Sequence, residues 1–456
     1  MNQWRRWPDD PQTLADPAWN WLAKALGMPA LLATPPRALA DITLPDAHVN
    51  AEPFIALLGS ARVRQDAEAR LRHAGDVLKA RGGDLSDAPE LVLLPRDEDD
   101  VLAILTLCAQ AGVSACVFGA GNATHGTAQA CIDMTGMTRL KSVDVAFGLA
   151  EIEAGITGEE LSRQLAARGL MLEDDFGFGT LGGRIALGTA NWLLQARLAT
   201  PRGMIVGLPQ AAGSRGTLGA ITAATVKIRA LPAHPQVCGF VFPDFAAGLA
   251  ALAQAQHLGI AHYGVQLSDA AETDFHHHLR AMERHPLLRW LQRPLNGAGL
   301  TVTFPNLVSR LRFALLARKL GGRRRRLAAP VAWRNLLLDR GVMVEHWRLP
   351  VRWSQVPALR TALSAALDQA MREHAPRPGA HGLVLSQVCN PHSDGADLAL
   401  TAIWPRLLNE DVAQAAAIRE AAQNAILEQT GAVTRPASDI TRAIKLVLDP
   451  KGVLPA

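Results

Sequence analysis

The sequence predicts an α/β (α+β) fold in two domains, on three observations. At 456 residues the chain is longer than one hydrophobic core ordinarily serves. A strand, an amphipathic helix and a second strand follow one another between Leu91 and Gly119. From Val237 to about Trp404, strands and Ala/Leu-rich helices alternate a second time. The boundaries read as a helical and loop segment at 1–86, a first αβ domain at 87–232, a second at 233–405, and a helical segment at 406–456 that returns to the first domain.

Residues 1–86 are broken by proline-rich joints such as MPALLATPPRALAD. LVLLP is a short apolar run closed by Pro95, the pattern of a buried strand. In PRDEDDVLAILTLCAQAG the acidic residues Asp97 to Asp100 suit a helix N-terminus, and Val101, Ile104, Leu105 and Cys108 form one apolar stripe. Gly112 stands where a C-terminal cap belongs, and SACVFG is the strand that completes the β-α-β unit. ACIDM and LAEIEAG are further strands. GITGEELSRQLAARGL opens a helix through a capping box, Thr157 with Glu160, and stops at Gly169. TVKIRALP alternates apolar and polar residues, which predicts a half-exposed strand ended by Pro232. In the second domain FVF, GVMVEHW, LVLSQV and LALTAIW read as strands and Pro357 to His374 as a helix; the chain then returns to helix and ends LVLDPKGVLPA.

Hydrophobic residues at 49% with charged residues at 19% describe a well-packed globular protein and exclude extensive disorder. Much of the net charge of +4 sits in GGRRRRLAAP, Arg323 to Arg326, which reads as a solvated loop. Without interleaved aromatics that run predicts no nucleic-acid partner. The five cysteines, Cys108, Cys116, Cys131, Cys238 and Cys389, are scattered with no CxxC pair, so neither a metal site nor a disulfide framework is indicated. The start MNQWRRWPDD has no apolar signal core, and no run approaches the ~18 apolar residues of a membrane span. A soluble, reducing, cytoplasmic setting is the expectation. Tyr263 is the single tyrosine, so a mechanism that needs one must use it.

The stretch VFGAGNATHG, Val117 to Gly126, holds three glycines and two alanines. It is not the dinucleotide fingerprint GxGxxG, because its third glycine comes one position late and a strand follows instead of a helix. It also lacks the Gly-Lys-Ser/Thr ending of a P-loop. Two readings stay open from these residues: a strand-to-strand loop whose N–H groups form an anion nest, and an ordinary glycine turn.

The β-α-β unit, this loop, TLGG and the turn GSRGTLGAIT occur in that order. The order resembles the FAD-binding domain of the vanillyl-alcohol oxidase and para-cresol methylhydroxylase (PCMH) superfamily, and within it the alkyldihydroxyacetonephosphate synthase (alkylglycerone-phosphate synthase) family. MNQWRRWPDD is similar to that family's Trp-rich start, and RLRHAGDVL followed by PELVLLPRDEDDVLAI to the opening of its flavin domain. GVMVEHWRLPVRWSQVPAL resembles its cap and LVLDPKGVLP its closing tail. The resemblance implies a PCMH-type FAD-binding domain of two subdomains, an αβ cap for the substrate, and FAD as cofactor. It assigns Val117, Phe118, Gly119, Ala120, Gly121, Asn122 and Ala123 to the pyrophosphate loop. Asp174, Thr180, Gly182 and Gly183 fall on a second flavin segment, and Gly213, Ser214, Arg215, Gly216, Thr217, Leu218, Gly219 and Ile221 on a third.

For function the resemblance implies flavin-mediated exchange of an acyl for an alkyl group on dihydroxyacetone phosphate, the chemistry of ether lipids. The alternatives are an FAD-dependent dehydrogenase of D-lactate-like 2-hydroxy acids, or a relative that keeps the fold as a binding protein. A small-molecule or lipid-like substrate is implied, compatible with peripheral membrane contact and with a homodimer.

The sequence departs from the family where its chemistry lies. The loop usually reads Pro-x-Gly-Gly-Gly-Thr-Ser; here Val117 replaces the proline, Ala120 the middle glycine, and Asn122 with Ala123 the Thr-Ser pair. Ala120 would be strained if that position needs positive φ. Arg215 replaces the glutamate of GSEGTLG, and the segment between Gly183 and Pro201 is shorter and lacks a tyrosine. In the cap the family's Glu-Thr pair falls on Arg348 and Leu349, its Ser-His-x-Tyr on a stretch holding Gln387 and Cys389, and an arginine on Gln266. The family's triple histidine falls on Pro436, Ala437 and Ser438. Acid/base work is therefore assigned to His346, His392 and Asp394, on cap strands or loops, with Arg348 as a catalytic residue or anion anchor. His276 to His278 lie on a helix, where consecutive side chains diverge, and read as a solvated face.

Overall fold

The computed structural model describes residues 14–121, 128–172, 179–188, 192–282, 295–327, 334–430 and 439–455. Contacts divide the chain into two units, one built from Pro36–Leu231 with Arg435–Ala456, the other from Asp9–Pro35 with Pro232–Thr434.

The first unit holds two sheets. In the four-stranded sheet, Leu91–Leu93, Ala130–Asp133 and Ala115–Phe118 run parallel, and Val63–Arg64 adds an antiparallel edge. The helix Glu98–Ala111 starts where Asp97 accepts the Asp100 N–H at 3.0 Å and ends at Gly112, whose φ is +68°. Its stripe Val101, Ile104, Leu105 and Cys108 is fully buried, as the sequence periodicity requires. Burial pushes the Cys108 thiol up to about 12, so it stays an inert core side chain. Val453 and Leu454, near the end of the chain, complete this core.

The second sheet of this unit is antiparallel, in the order Leu140–Asp144, Leu149–Glu153, Ala220–Lys227, Leu193–Thr200, Gly203–Val206. The expected half-exposed strand TVKIRALP is only part of the observed one. Alternation holds from Thr225 onward, but Ala220 to Ala224 are buried throughout. The strand is central, and the helices Glu98–Ala111 and Leu181–Leu187 both contact it. Thr157 caps the helix Gly158–Ala166 by accepting the Glu160 N–H at 3.4 Å. Glu160 turns its carboxylate to Arg163 and Gln164, so the reciprocal half of the capping box does not form.

The second unit is one seven-stranded antiparallel sheet, ordered Arg323–Arg324, Gln236–Phe242, Ala298–Phe304, Tyr263–Ser268, Leu383–Cys389, Gly395–Pro405, Val342–Arg352. Arg323 and Arg324 are thus a two-residue edge strand and not a loop; short, charged edges resist further strand addition. The helix Val356–Glu373 packs on the strands Leu383–Cys389 and Gly395–Pro405 and, alongside, against the helix Asp411–Thr430. Residues 406–430 therefore complete this unit, where the sequence places them with the first domain: Arg406 is clamped to Asp411, and Gln414 bonds the Pro405 and His374 carbonyls. Likewise Asp16–Ala25 is no separate N-terminal segment, since Ala18, Trp19 and Leu22 join the core of Phe275, Val344 and Ile403.

Candidate flavin loop and cap-sheet residues

The glycine loop leaves the strand Ala115–Phe118 at Gly119, and its position explains the first glycine. A Cβ there would lie 2.5 Å from the Thr180 hydroxyl. Thr180 in turn accepts the Gly183 N–H at 3.2 Å and caps the helix Leu181–Leu187. Gly182 brings that helix against Ala154, whose Cβ a side chain at 182 would meet at 2.8 Å. Two glycine segments far apart in sequence are thereby brought side by side. Gly121 has φ +66°, whereas Ala120 keeps negative φ, so its methyl imposes no backbone strain. Asn122, Ala123 and Asp174 lie outside the described residues.

The third segment wraps the other end of the same helix. The Gly213 N–H donates to the Ile185 carbonyl at 3.0 Å and the Arg215 N–H to that of Ala186 at 2.9 Å. Gly213 and Gly216 have positive φ, and so does Arg215, at +54°. Gly219 is required by the Ala199 carbonyl, 2.6 Å from where its Cβ would stand. Among the described residues no carboxylate neutralises Arg215, and desolvation lowers its pKa although its side chain reaches solvent. Leu218 and Ile221 are core side chains, which leaves only their backbone for a ligand, and the Ser214 hydroxyl is spent on the Ala211 carbonyl. The Lys445 ammonium, from the C-terminal segment, donates to the Thr217 carbonyl at 3.0 Å.

Beside Phe118, at the end of the strand that leads into the loop, lies a pair the sequence reading did not single out. His73 donates through Nδ1 to the Ala69 carbonyl at 2.7 Å, and its Nε2 stands 3.0 Å from Asp133 Oδ2. Its ring lies 4.3 Å from that of Phe118, the residue before Gly119. Burial alone would raise the Asp133 pKa, but the hydrogen bond and charge of His73, with Thr135, bring it below the ordinary carboxylate range. RLRHAGDVL carried the histidine, yet nothing local marks its partner 60 positions on.

In the second unit His346 and Arg348 alternate on one strand and share a face. His346 Nδ1 lies 2.8 Å from the Thr401 hydroxyl, and Arg348 Nε donates to the buried Asp397 at 3.0 Å. Asp397 also accepts from Asn390 at 3.1 Å. Cross-strand register puts Gln387 opposite Ala399, and Cys389 opposite both Asp397 and Gln266. Gln266, Gln387 and Cys389 thus lie on the same sheet face as His346 and Arg348, and Leu349 on the opposite one, whereas Pro436, Ala437 and Ser438 lie outside the described residues. Desolvation and the Arg334 charge push the His346 pKa well below the usual histidine range; the solvent its ring still touches limits the drop.

His392 and Asp394 do not join them. They form the hairpin between Leu383–Cys389 and Gly395–Pro405, where the His392 carbonyl accepts from Trp353 Nε1 and its Nδ1 from the Asp394 N–H. Gly395 is six residues along the strand from Thr401, roughly 20 Å at strand rise. The triple histidine is also placed otherwise than the sequence suggests. His276, His277 and His278 are half-buried and not solvated: His278 stacks on Trp21 with centroids 5.4 Å apart, and His276 Nε2 lies 3.6 Å from Glu272. As expected, the three diverge.

A family model described as an FAD binding domain matches residues 89–208. Alkyldihydroxyacetonephosphate synthase of Trypanosoma brucei brucei is 29% identical over 266 residues, 49% of this chain and 43% of that protein. Mitochondrial D-lactate dehydrogenase (cytochrome) of Arabidopsis thaliana is 29% identical over 186 residues, 34% of this chain and 33% of that protein. The chain thus spans less than half the length of the curated relatives it matches. Among solved structures, an alkyldihydroxyacetonephosphate synthase superposes with a TM-score of 0.74 at 22% identity, covering 96% of this chain and 91% of the other. A p-cresol methylhydroxylase with substrate bound gives 0.62 at 13%, covering 92% and 97%. Among the described residues no helix is long and apolar enough to cross a membrane.

Proposed function

We propose, from the premise that this chain carries an FAD binding domain and the fold of the p-cresol methylhydroxylase superfamily, that it binds FAD and performs group exchange on a phosphorylated, lipid-like substrate, the reaction that its resemblance to alkyldihydroxyacetonephosphate synthases implies. The observation that carries this reading is the seating of Gly119 against Thr180, which sets the glycine loop beside the capped turn Thr180–Gly183. The residues present fit the cofactor. Glycines stand where side chains would collide, Ala120 adopts an ordinary φ, and Arg215 offers a pyrophosphate a cation that no carboxylate among the described residues compensates. Gly119 to Gly121, Thr180 to Gly183 and Gly213 to Gly219 would hold it.

Bound FAD would supply a reversible two-electron acceptor with an electrophilic ring. The chain's own residues do the rest. Proton transfer falls to His346, whose ring the Thr401 hydroxyl orients through Nδ1. Asp397 fixes the Arg348 guanidinium plane, which orients it toward an anionic group. A cytoplasmic homodimer is the setting this reading takes.

A second reading, oxidation of a 2-hydroxy acid, is favoured by the D-lactate dehydrogenase similarity and by Arg348 as a carboxylate anchor. Purified protein separates the two. Yellow protein, or colourless protein that takes up added FAD, supports the cofactor; protein that ignores FAD ends both readings. Exchange of labelled fatty alcohol into acyl-dihydroxyacetone phosphate supports the first, and bleaching of bound flavin by D-lactate without exchange supports the second.

A further inference from the structure

The helix Leu307–Lys319 has one buried face, with Phe313, Leu316 and Ala317 against the cap sheet. Its outer face is not the polar one expected of a surface helix. Leu307, Val308, Leu311 and Leu315 are 51%, 66%, 52% and 67% exposed. At 100° per residue they fall within one stripe, interleaved with the exposed Arg312, Arg318 and Lys319. Arg312 donates to the carbonyl of Leu258, itself 52% exposed, which widens the apolar surface. Single exposed leucines need no explanation, but a stripe of four rimmed by cations does.

Charge decides what fits it. From Leu307 to Arg326 the sequence has eight basic residues (Arg310, Arg312, Arg318, Lys319 and Arg323 to Arg326) and no acidic one. The whole chain carries +4, so the remainder is net negative and this segment is its positive pole. Two copies of such a face would repel in a twofold contact. A nucleic acid would engage the arginines but leave the leucines in water. A surface that is anionic outside and apolar just beneath satisfies both. We propose that Leu307–Lys319 and the adjoining Arg323 to Arg326 dock this protein on anionic lipid bilayers, the leucines entering the interface and the cations meeting the headgroups. The docking is peripheral and does not depend on the flavin reading.

The test uses the whole chain, whatever its flavin content, in flotation with vesicles of phosphatidylcholine alone or mixed with phosphatidylglycerol. Binding to the mixed vesicles only, weakened by salt, is expected. Leu311→Ser with Leu315→Ser, and separately Arg323→Gln with Arg324→Gln, should each weaken it roughly ten-fold with unchanged thermal unfolding, because all four side chains are exposed. No binding to anionic vesicles, or equal binding by the serine variant, overturns the proposal. So does finding that the leucine substitutions abolish a dimer, or the arginine ones RNA binding, while vesicle binding is untouched.

Discussion

Arg215 is under two opposing demands. Its backbone sits in the left-handed region, where an L-residue is disfavoured by roughly 1–2 kcal/mol, and its side chain is a cation with no carboxylate to balance it among the described residues. Such strain persists when a ligand gains from it. Arg215→Gly should therefore raise unfolding free energy in denaturant by about 0.5–1 kcal/mol, after the entropic cost of glycine. The same variant should bind FAD roughly ten-fold less tightly in a fluorescence titration, the scale of one charge-assisted contact. Unchanged affinity would remove Arg215 from the anion site. Asp133 makes a pH prediction. Its folded pKa is depressed below the unfolded value of about 3.9, so its pairing with His73 stabilises fully above that pH and is lost as pH falls through the folded pKa. Asp133→Asn should cost about 1–3 kcal/mol at neutral pH and flatten the acid limb of a stability-pH profile below about pH 4. What a residue contributes through its own backbone was legible: glycines at 119, 121 and 182 follow from sequence pattern. Asp133 was not, because its partner arrives through the fold.

At the scale of elements, local signals carried far. The helix Glu98–Ala111 has its N-cap, buried stripe and C-terminal glycine all readable in PRDEDDVLAILTLCAQAG. Failures came where neighbours decide. Ala220 to Ala224 are buried because helices lie on their strand, Arg323 and Arg324 form a strand because Val241 and Phe240 pair with them, and His278 is half-buried with Trp21 stacked on it. Sheet order is likewise invisible locally, since pairing is long-range. The link between the first unit's two sheets belongs to this scale. Arg197, on the second sheet, grips Glu98, at the start of the first sheet's helix, with two bonds of 2.8 Å. The Arg197 hydrogen bond also lowers the Glu98 pKa, with Lys141 assisting. Both side chains are partly exposed, so charge alone is worth little here, and the fork geometry carries the contact. Arg197→Lys should thus lose about 0.5–1 kcal/mol in chemical denaturation despite the conserved charge. A lysine variant as stable as the parent would show the pair to be ornamental.

Each unit is closed by chain from far away: among the described residues, those from 14 to Pro35 complete the second and those from 439 onward the first. The sequence tail LVLDPKGVLP resembled a family ending without revealing its work. Asp449 is buried and accepts the Val453 and Leu454 N–H groups at 2.8 and 2.9 Å, curling the tail so that both residues enter the first unit's core. Lys445, paired with Asp449 at 3.1 Å, also holds the Leu454 carbonyl and the Thr217 carbonyl of the third glycine segment. One ammonium therefore couples the Leu454 turn to the third glycine segment. Lys445→Met keeps the stem but leaves the buried Asp449 charge without its cation, a loss of about 3 kcal/mol. Its thermal midpoint should fall and its FAD affinity weaken, because the Thr217 turn loses its brace. Lys451→Met is the matched control: it removes the same charge from an exposed side chain bonded to the Ala109 carbonyl, and should change stability by less than about 0.5 kcal/mol. If the two variants behave alike, the effect is one of net charge, and the brace between the tail and the third glycine segment has no energetic weight.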